Sequence, residues 1–158
     1  SGRQYNMVDE GLGWVGWRVS TLDPKSALYY RSFEFADAKA EATQTLSRVL
    51  NDPNRVTDQE IANAYQRSMR MRQQAYDNMI KLINASRKSG LSDQDIRDVL
   101  RASSVSNADA FNLLLGRRTP WQPTRQAEAY AYRRAQALIG VEQAEIIRGR
   151  YQQARTLN

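Results

Sequence analysis

The residues whose spacing most resembles a chemical motif lie near the start, where Gly11-Leu12-Gly13-Trp14-Val15-Gly16 spells G-x-G-x-x-G. Such glycines hold a dinucleotide when a strand delivers them and a helix starts at once behind, so that its N-terminal amides meet the pyrophosphate. Here no strand pattern precedes them, the next helix signal comes only at Asp23-Pro24, and Trp14 and Trp17 crowd the turn. The run reads as an arm, and no cofactor is expected. Asp93, Asp95 and Asp98 form an acidic cluster that would suit a hard cation if a loop wrapped them around it. At helical spacing they diverge, and capping together with the helix dipole accounts for them, so no metal site is expected. The carboxylate neighbours Asp37/Glu41 and Glu142/Glu145 have the spacing of an acid/base pair, but a solvated helix face looks the same.

Composition narrows the chemistry further. The 158 residues include no Cys and no His, which excludes disulfides, zinc-finger sites, thiol nucleophiles and imidazole bases. The nucleophiles and bases that remain form no recognisable constellation, so no catalytic residue is named, and neither an enzyme activity nor a small-molecule substrate is expected. No apolar run approaches the roughly 20 residues of a membrane span, and the chain reads as soluble. An opening Ser1-Gly2 without Met reads as the edge of an excised piece.

Charge is the stronger signal. Residues 117–158 hold eight arginines against three glutamates, which places five of the six net positive charges in the last quarter of the chain. If one continuous helix carries that segment, Arg133, Arg134, Arg148 and Arg155 fall within an arc of about 100°, with Tyr130 and Tyr151 beside them. Arg117, Arg118 and Arg125 extend the track. Arginine beside aromatics suits phosphate contact and base stacking, whereas the plainer reading is a solvated or ion-paired face. Arginine outnumbers lysine 19 to 4, which also favours bidentate pairs within or between helices. Arg72, in the middle of an apolar stripe, either makes such a pair or snorkels to solvent.

The elements that must carry these groups are helices with clear starts and stops. Asp23-Pro24 is an N-cap followed by proline at the first helical position, and Asn51-Asp52-Pro53-Asn54 ends the helix near Leu50. Leu28, Phe35, Ala42, Leu46, Val49 and Leu50 share one face of it, while Tyr29, Phe33, Ala36 and Ala40 form a second. Glu34, Asp37, Glu41 and Arg48 mark the solvent strip. An apolar arc that broad implies contact on two sides, so Trp14, Trp17, Tyr29, Phe33 and Phe35 are the expected interface residues, toward the N-terminal arm or another chain.

Thr57-Asp58-Gln59-Glu60 reads as a capping box opening a helix that stops at Gly90. Its buried stripe is Ile61, Tyr65, Met79, Leu82 and Ile83, with Ala64 and Ala75 at close approaches. Ser92 and Ser106 cap two short helices: Ile96, Val99 and Leu100 point inward on the first, and Ala110, Phe111, Leu113 and Leu114 on the second, which ends at Gly116. Thr124 is expected to cap one long final helix burying Ala127, Ala131, Tyr132, Ala135, Leu138, Ile139 and Ile146. No alternating pattern is long enough for a sheet. The fold expected is all-α: a single-domain helical bundle of three long and two short helices over residues 23–158, behind an extended Gly- and Trp-containing arm over residues 1–22.

Ser32-Phe33-Glu34-Phe35-Ala36-Asp37-Ala38, Ala64-Tyr65, Ser89-Gly90-Leu91-Ser92, Asp98-Val99-Leu100-Arg101 and Gly116-Arg117-Arg118 followed by Trp121 occur in order along the chain. Together they resemble the helical C-terminal segments of large polyvalent proteins, the giant multidomain bacteriophage and prophage proteins associated with DNA ejection. The resemblance implies a non-catalytic structural or interaction module of a virion or ejected protein, located in the phage particle or the host cytoplasm and associating through its helices with itself or a protein partner. The alternative reading is a sequence-non-specific nucleic-acid-binding domain acting through the Arg-rich last helix.

Overall fold

The computed structural model describes residues 23–51 and 55–149. Trp14, Trp17, the glycine run, Tyr151 and Arg155 lie outside the described residues, and so does the expected arm. Six helices are described: α1 (Pro24–Leu50), α2 (Asp58–Lys88), α3 (Asp93–Ala102), α4 (Asn107–Leu114), α5 (Gln126–Ile139) and α6 (Val141–Arg148). Among the described residues there is no strand, and no helix is long and apolar enough to cross a membrane.

The local signals act as their chemistry requires. Asp23 Oδ1 accepts the Ser26 N–H at 2.7 Å, a bond that holds the Asp23 carboxyl below its usual range. The Thr57 hydroxyl accepts the Glu60 N–H at 3.1 Å. A complete capping box forms at α3, where Ser92 Oγ accepts from Asp95 N and Asp95 accepts from Ser92 N. α2 and α4 end in Schellman turns: Leu91 N donates to Ser86 O and Arg117 N to Asn112 O, with Gly90 and Gly116 left-handed. α3 ends in the same way through Val105 N and Leu100 O, but there a serine, Ser104, takes the positive φ of 69°.

The expected long final helix is two helices. Gly140 has φ 87° and ψ 156°, a conformation open essentially to glycine alone, and it separates α5 from α6. The cap also differs: Arg125 is the N-cap residue and makes no side-chain cap bond, while Thr124 N donates to Glu128 Oε2. The break changes the phase of every position after it, so Arg148 is buried. Within α5, Ala131 and Ala135 are buried as expected, whereas Ala127 in the first turn and Leu138 in the last are exposed. A Cβ at Gly140 would meet nothing within 4 Å, so Gly140→Ala tests backbone strain alone. The variant is expected to lose about 1–3 kcal/mol in thermal unfolding. A gain in stability would show instead that α5 and α6 can fuse at no cost.

The contacts gather into two compact units, and both draw on α1 and α2. In the first unit, residues 23–37 and 74–119, the buried side chains include Leu28, Phe35, Met79, Leu82, Ile83, Ile96, Leu100 and Leu113. Phe35, expected at an interface, is 2% exposed and stands edge-on to Tyr76 with ring centroids 5.1 Å apart. It belongs to this core, because it lies on the Leu28 face of α1 and not on the Phe33 face. Phe111, expected inside, is 60% exposed; α4 is short and turns Asp109, Ala110 and Leu113 inward. In the second unit, residues 38–73 and 120–149, one core joins Leu46 of α1 and Ile61, Ala62, Ala64, Tyr65 and Met69 of α2 with Trp121 and with Ala131 and Ala135 of α5.

Candidate functional site

Within the second unit an aromatic and charged cluster forms where α2, the 120–124 link, α5 and α6 meet. Tyr65, Trp121 and Tyr132 stand mutually tilted or edge-on, with ring centroids 5.6–6.2 Å apart. The Arg148 guanidinium lies 4.7 Å from the centroid of the Tyr132 ring, and its Nη2 donates to both Glu145 oxygens, at 2.8 and 3.1 Å. Tyr132 OH donates to Glu145 Oε1 at 2.6 Å and accepts from Gln136 Nε2 at 2.9 Å. Tyr65 OH donates to the Ala144 carbonyl at 3.3 Å. Burial, reinforced by the neighbouring Tyr132, pushes the Tyr65 phenol well above its ordinary range, so it stays protonated as a donor. Gln73 Nε2 donates to the Ile147 carbonyl. The cluster ties α6 to α2 and α5 through side-chain bonds to backbone and to one carboxylate. Arg148 Nε is buried with no hydrogen-bond partner.

The first unit has its own buried polar node. Asp109 Oδ1 accepts from Tyr76 OH at 2.7 Å and from Thr119 Oγ1 at 2.6 Å, while Asn112 Nδ2 donates to Thr119 Oγ1 at 3.1 Å. Asp109 is only 3% exposed, at the first turn of α4, where its N–H is capped by Ser106. Nearby on α2, Asp77 receives a bidentate pair from Arg118 Nε and Nη2, at 2.9 and 2.8 Å.

The acidic cluster of α3 is held by local partners. Arg87 donates to Asp93 at 2.8 Å and lowers its pKa. Asp95, lowered mainly by the Ser92 backbone bond, closes the capping box and lies 3.5 Å from Lys25. Asp98 accepts from Gln94. Among the described residues no group of three or more acidic side chains is placed to hold a metal ion. Glu41 accepts from Arg48 at 3.3 Å, and Glu145 belongs to the cluster above.

Of the described arginines of the last quarter, four are held in ion pairs. Arg148 is 4% exposed at its side chain and paired with Glu145. Arg118 is held by Asp77, Arg125 by Glu128 at 3.3 Å, and Arg134 by Asp58 at 3.5 Å. Arg134 also lies 5.0 Å from the centroid of the half-buried Tyr130 ring. Arg117 is half-buried, and Arg133 alone of this set is exposed with no ion pair among the described residues. The helical arc assumed continuity through Gly140, where the chain turns. Arg72 is half-buried, and its Nη2 donates to the Thr43 hydroxyl at 2.6 Å.

Sequence reasoning missed two features. The Tyr65–Trp121–Tyr132–Glu145–Arg148 cluster had a readable trace in Gly140, whose phase break would have moved Arg148 off the solvent side. The other is Arg67 and Arg70 on α2, both exposed and without a hydrogen bond or ion pair among the described residues. Their trace is the stretch 61–76, which contains no Asp or Glu. Comparison of the chain with protein-family models, with curated proteins and with solved structures finds no match.

Proposed function

We propose that the chain is a non-catalytic helical interaction module of a large multidomain phage-type protein, and that it pairs through α1 with a second copy of itself. The phage setting rests on the sequence resemblance. The observation that carries the pairing is the row Tyr29, Phe33, Ala36 and Ala40 at spacings of four, three and four on α1: Tyr29 is half-buried and the other three are exposed. Tyr29 and Phe33 already stand edge-on, 4.9 Å between centroids, and Phe33 keeps 40% of its surface in water. Large residues occupy one end of the row and small ones the other. An antiparallel two-fold pairing therefore sets Phe33 against Ala36 of the second copy and Tyr29 against its Ala40, each ring filling the space an alanine leaves. The acidic strip of Glu34, Asp37 and Glu41 flanks the row and stays in solvent. The non-catalytic part is supported by Asp109, Glu145 and Arg148, which direct their hydrogen bonds to neighbouring side chains.

Sedimentation of the full chain tests the pairing. Wild type is expected to dimerise. Phe33→Glu, which places a charge at the centre of the seam in both copies, is expected to raise the dimer Kd by about a hundredfold or more, since a central aromatic anchor is worth at least about 2 kcal/mol. Its helical circular dichroism and unfolding midpoint should hold, because the side chain is exposed. A wild-type chain that remains monomeric at every concentration reached would overturn the proposal.

A further inference from the structure

Residues 61–76 of α2 carry Arg67, Arg70 and Arg72 and no carboxylate. Arg72 turns to Thr43, whereas Arg67 and Arg70 are exposed and make no hydrogen bond or ion pair with any described residue. This sets them apart from Arg48, Arg87, Arg118, Arg125, Arg134 and Arg148, each of which has a carboxylate within 3.5 Å. On the helical wheel Gln59, Asn63, Gln66, Arg67 and Arg70 fall within about 100° of one another, which makes one outward face. Gln59, Asn63, Arg67 and Arg70 are exposed and Gln66 is half-buried.

Two like charges three residues apart on a helix repel each other, a cost of some tenths of a kcal/mol that no ion pair among the described residues relieves. The nearest acidic residues in sequence are Glu60, in the first turn, and Asp77, which is taken up by Arg118 at 2.8 and 2.9 Å; Asp58 is taken up by Arg134 at 3.5 Å. Glu60 borders the face and leaves Arg67 and Arg70 unneutralised. The side chains on the face are guanidinium and amide donors, the groups that proteins direct at phosphate oxygens.

The absence of rings from the face distinguishes among polyanions. Tyr65, the one aromatic in this half of α2, is fully buried among Trp121 and Tyr132. A face without an aromatic platform has nothing on which to stack single-stranded bases, and it suits a backbone whose bases are already stacked on each other. We infer that the outward face of the first half of α2, through Arg67 and Arg70 with Asn63 and Gln66, docks on the phosphate backbone of double-stranded nucleic acid without reading its sequence. This names a partner for the interaction module proposed above and uses a different helix from its self-association.

The test is a fluorescence-anisotropy titration of the full chain against a labelled DNA duplex of mixed sequence, repeated across a range of salt. Wild type should bind at low salt, with affinity falling as salt rises. Arg67→Gln/Arg70→Gln should make the log–log salt slope shallower by about two units, one for each phosphate no longer neutralised. The control Arg97→Gln/Arg101→Gln removes the same charge from the exposed surface of α3 and should leave the slope unchanged. All these positions are exposed, so unfolding midpoints should agree among the three proteins and exclude misfolding. The inference is overturned if wild type fails to bind at low salt, if both double variants lose slope alike, or if single strands bind more tightly than duplex. It is also overturned if polyglutamate of matched charge displaces the duplex as well as unlabelled duplex does, which would mark the face as one for acidic proteins. Dimerisation is read separately by sedimentation with Phe33→Glu, so failure of either proposal is visible without the other.

Discussion

Trp121→Ala is expected to destabilise the protein by about 3–5 kcal/mol, the largest loss from any single truncation in the described chain. The residue sits in a link flanked by Pro120 and Pro123, where a solvent-exposed side chain would ordinarily be tolerant of change. Here it is 7% exposed and edge-on to both Tyr65 and Tyr132, at 5.6 and 6.2 Å. Truncation removes the largest ring of the second unit's core and opens a cavity beside Tyr65, which has no freedom to follow because its hydroxyl is bonded to Ala144 O. Each edge-on ring pair that disappears adds about 0.5–1.5 kcal/mol to the transfer and cavity costs. Urea unfolding measures the effect, with Phe111→Ala as comparison. Phe111 is also a large aromatic, but it is exposed, and its replacement should fall within about 0.5 kcal/mol of wild type. A Trp121→Ala loss as small as that of Phe111→Ala would remove the link from the core.

The second large effect is expected at the buried ion pair of α6. Glu145→Gln keeps the shape of the side chain but withdraws the charge that faces Arg148, whose side chain is 4% exposed. An uncompensated guanidinium in that position costs about 3–5 kcal/mol. Arg148→Met is expected to cost less, about 1–3 kcal/mol, because Glu145 is 26% exposed and still accepts from Tyr132. In the double variant a methionine packs on the Tyr132 ring beside a neutral amide, so no charge is left buried alone. Its loss should fall short of the sum of the single losses by at least about 1 kcal/mol. Simple additivity would show that the two residues act independently.

Starts and stops were legible in the sequence because they are made by neighbours in the chain. Asp23, Thr57, Ser92 and Ser106 cap amides three residues away, and Gly90 and Gly116 release carbonyls of the turn just completed. The starts of α1 through α4 and the ends of α2 and α4 follow from such pairs, and the buried stripe of α2 follows from periodicity, since Ile61, Tyr65, Met79, Leu82 and Ile83 are all buried. Gly140 was equally present in the sequence, but glycine is compatible with a helix interior at a cost of about 1 kcal/mol, so only the packed chain shows that it turns.

The fate of each arginine could not be read in this way. Residues 117–158 hold most of the chain's excess positive charge, yet among the described arginines of that segment four are ion-paired and only Arg117, half-buried, and Arg133, exposed, are not. The partners of Arg118 and Arg134 are Asp77 and Asp58, on another helix and far away in sequence. The same holds for Phe33 and Phe35, two residues apart on one helix, of which one is exposed and the other buried against Tyr76. What the sequence determined by itself was the set of interactions closed within a turn of helix. Which charges and rings remain available to a partner was decided by the tertiary structure, because a side chain's exposure depends on what a distant segment brings to it.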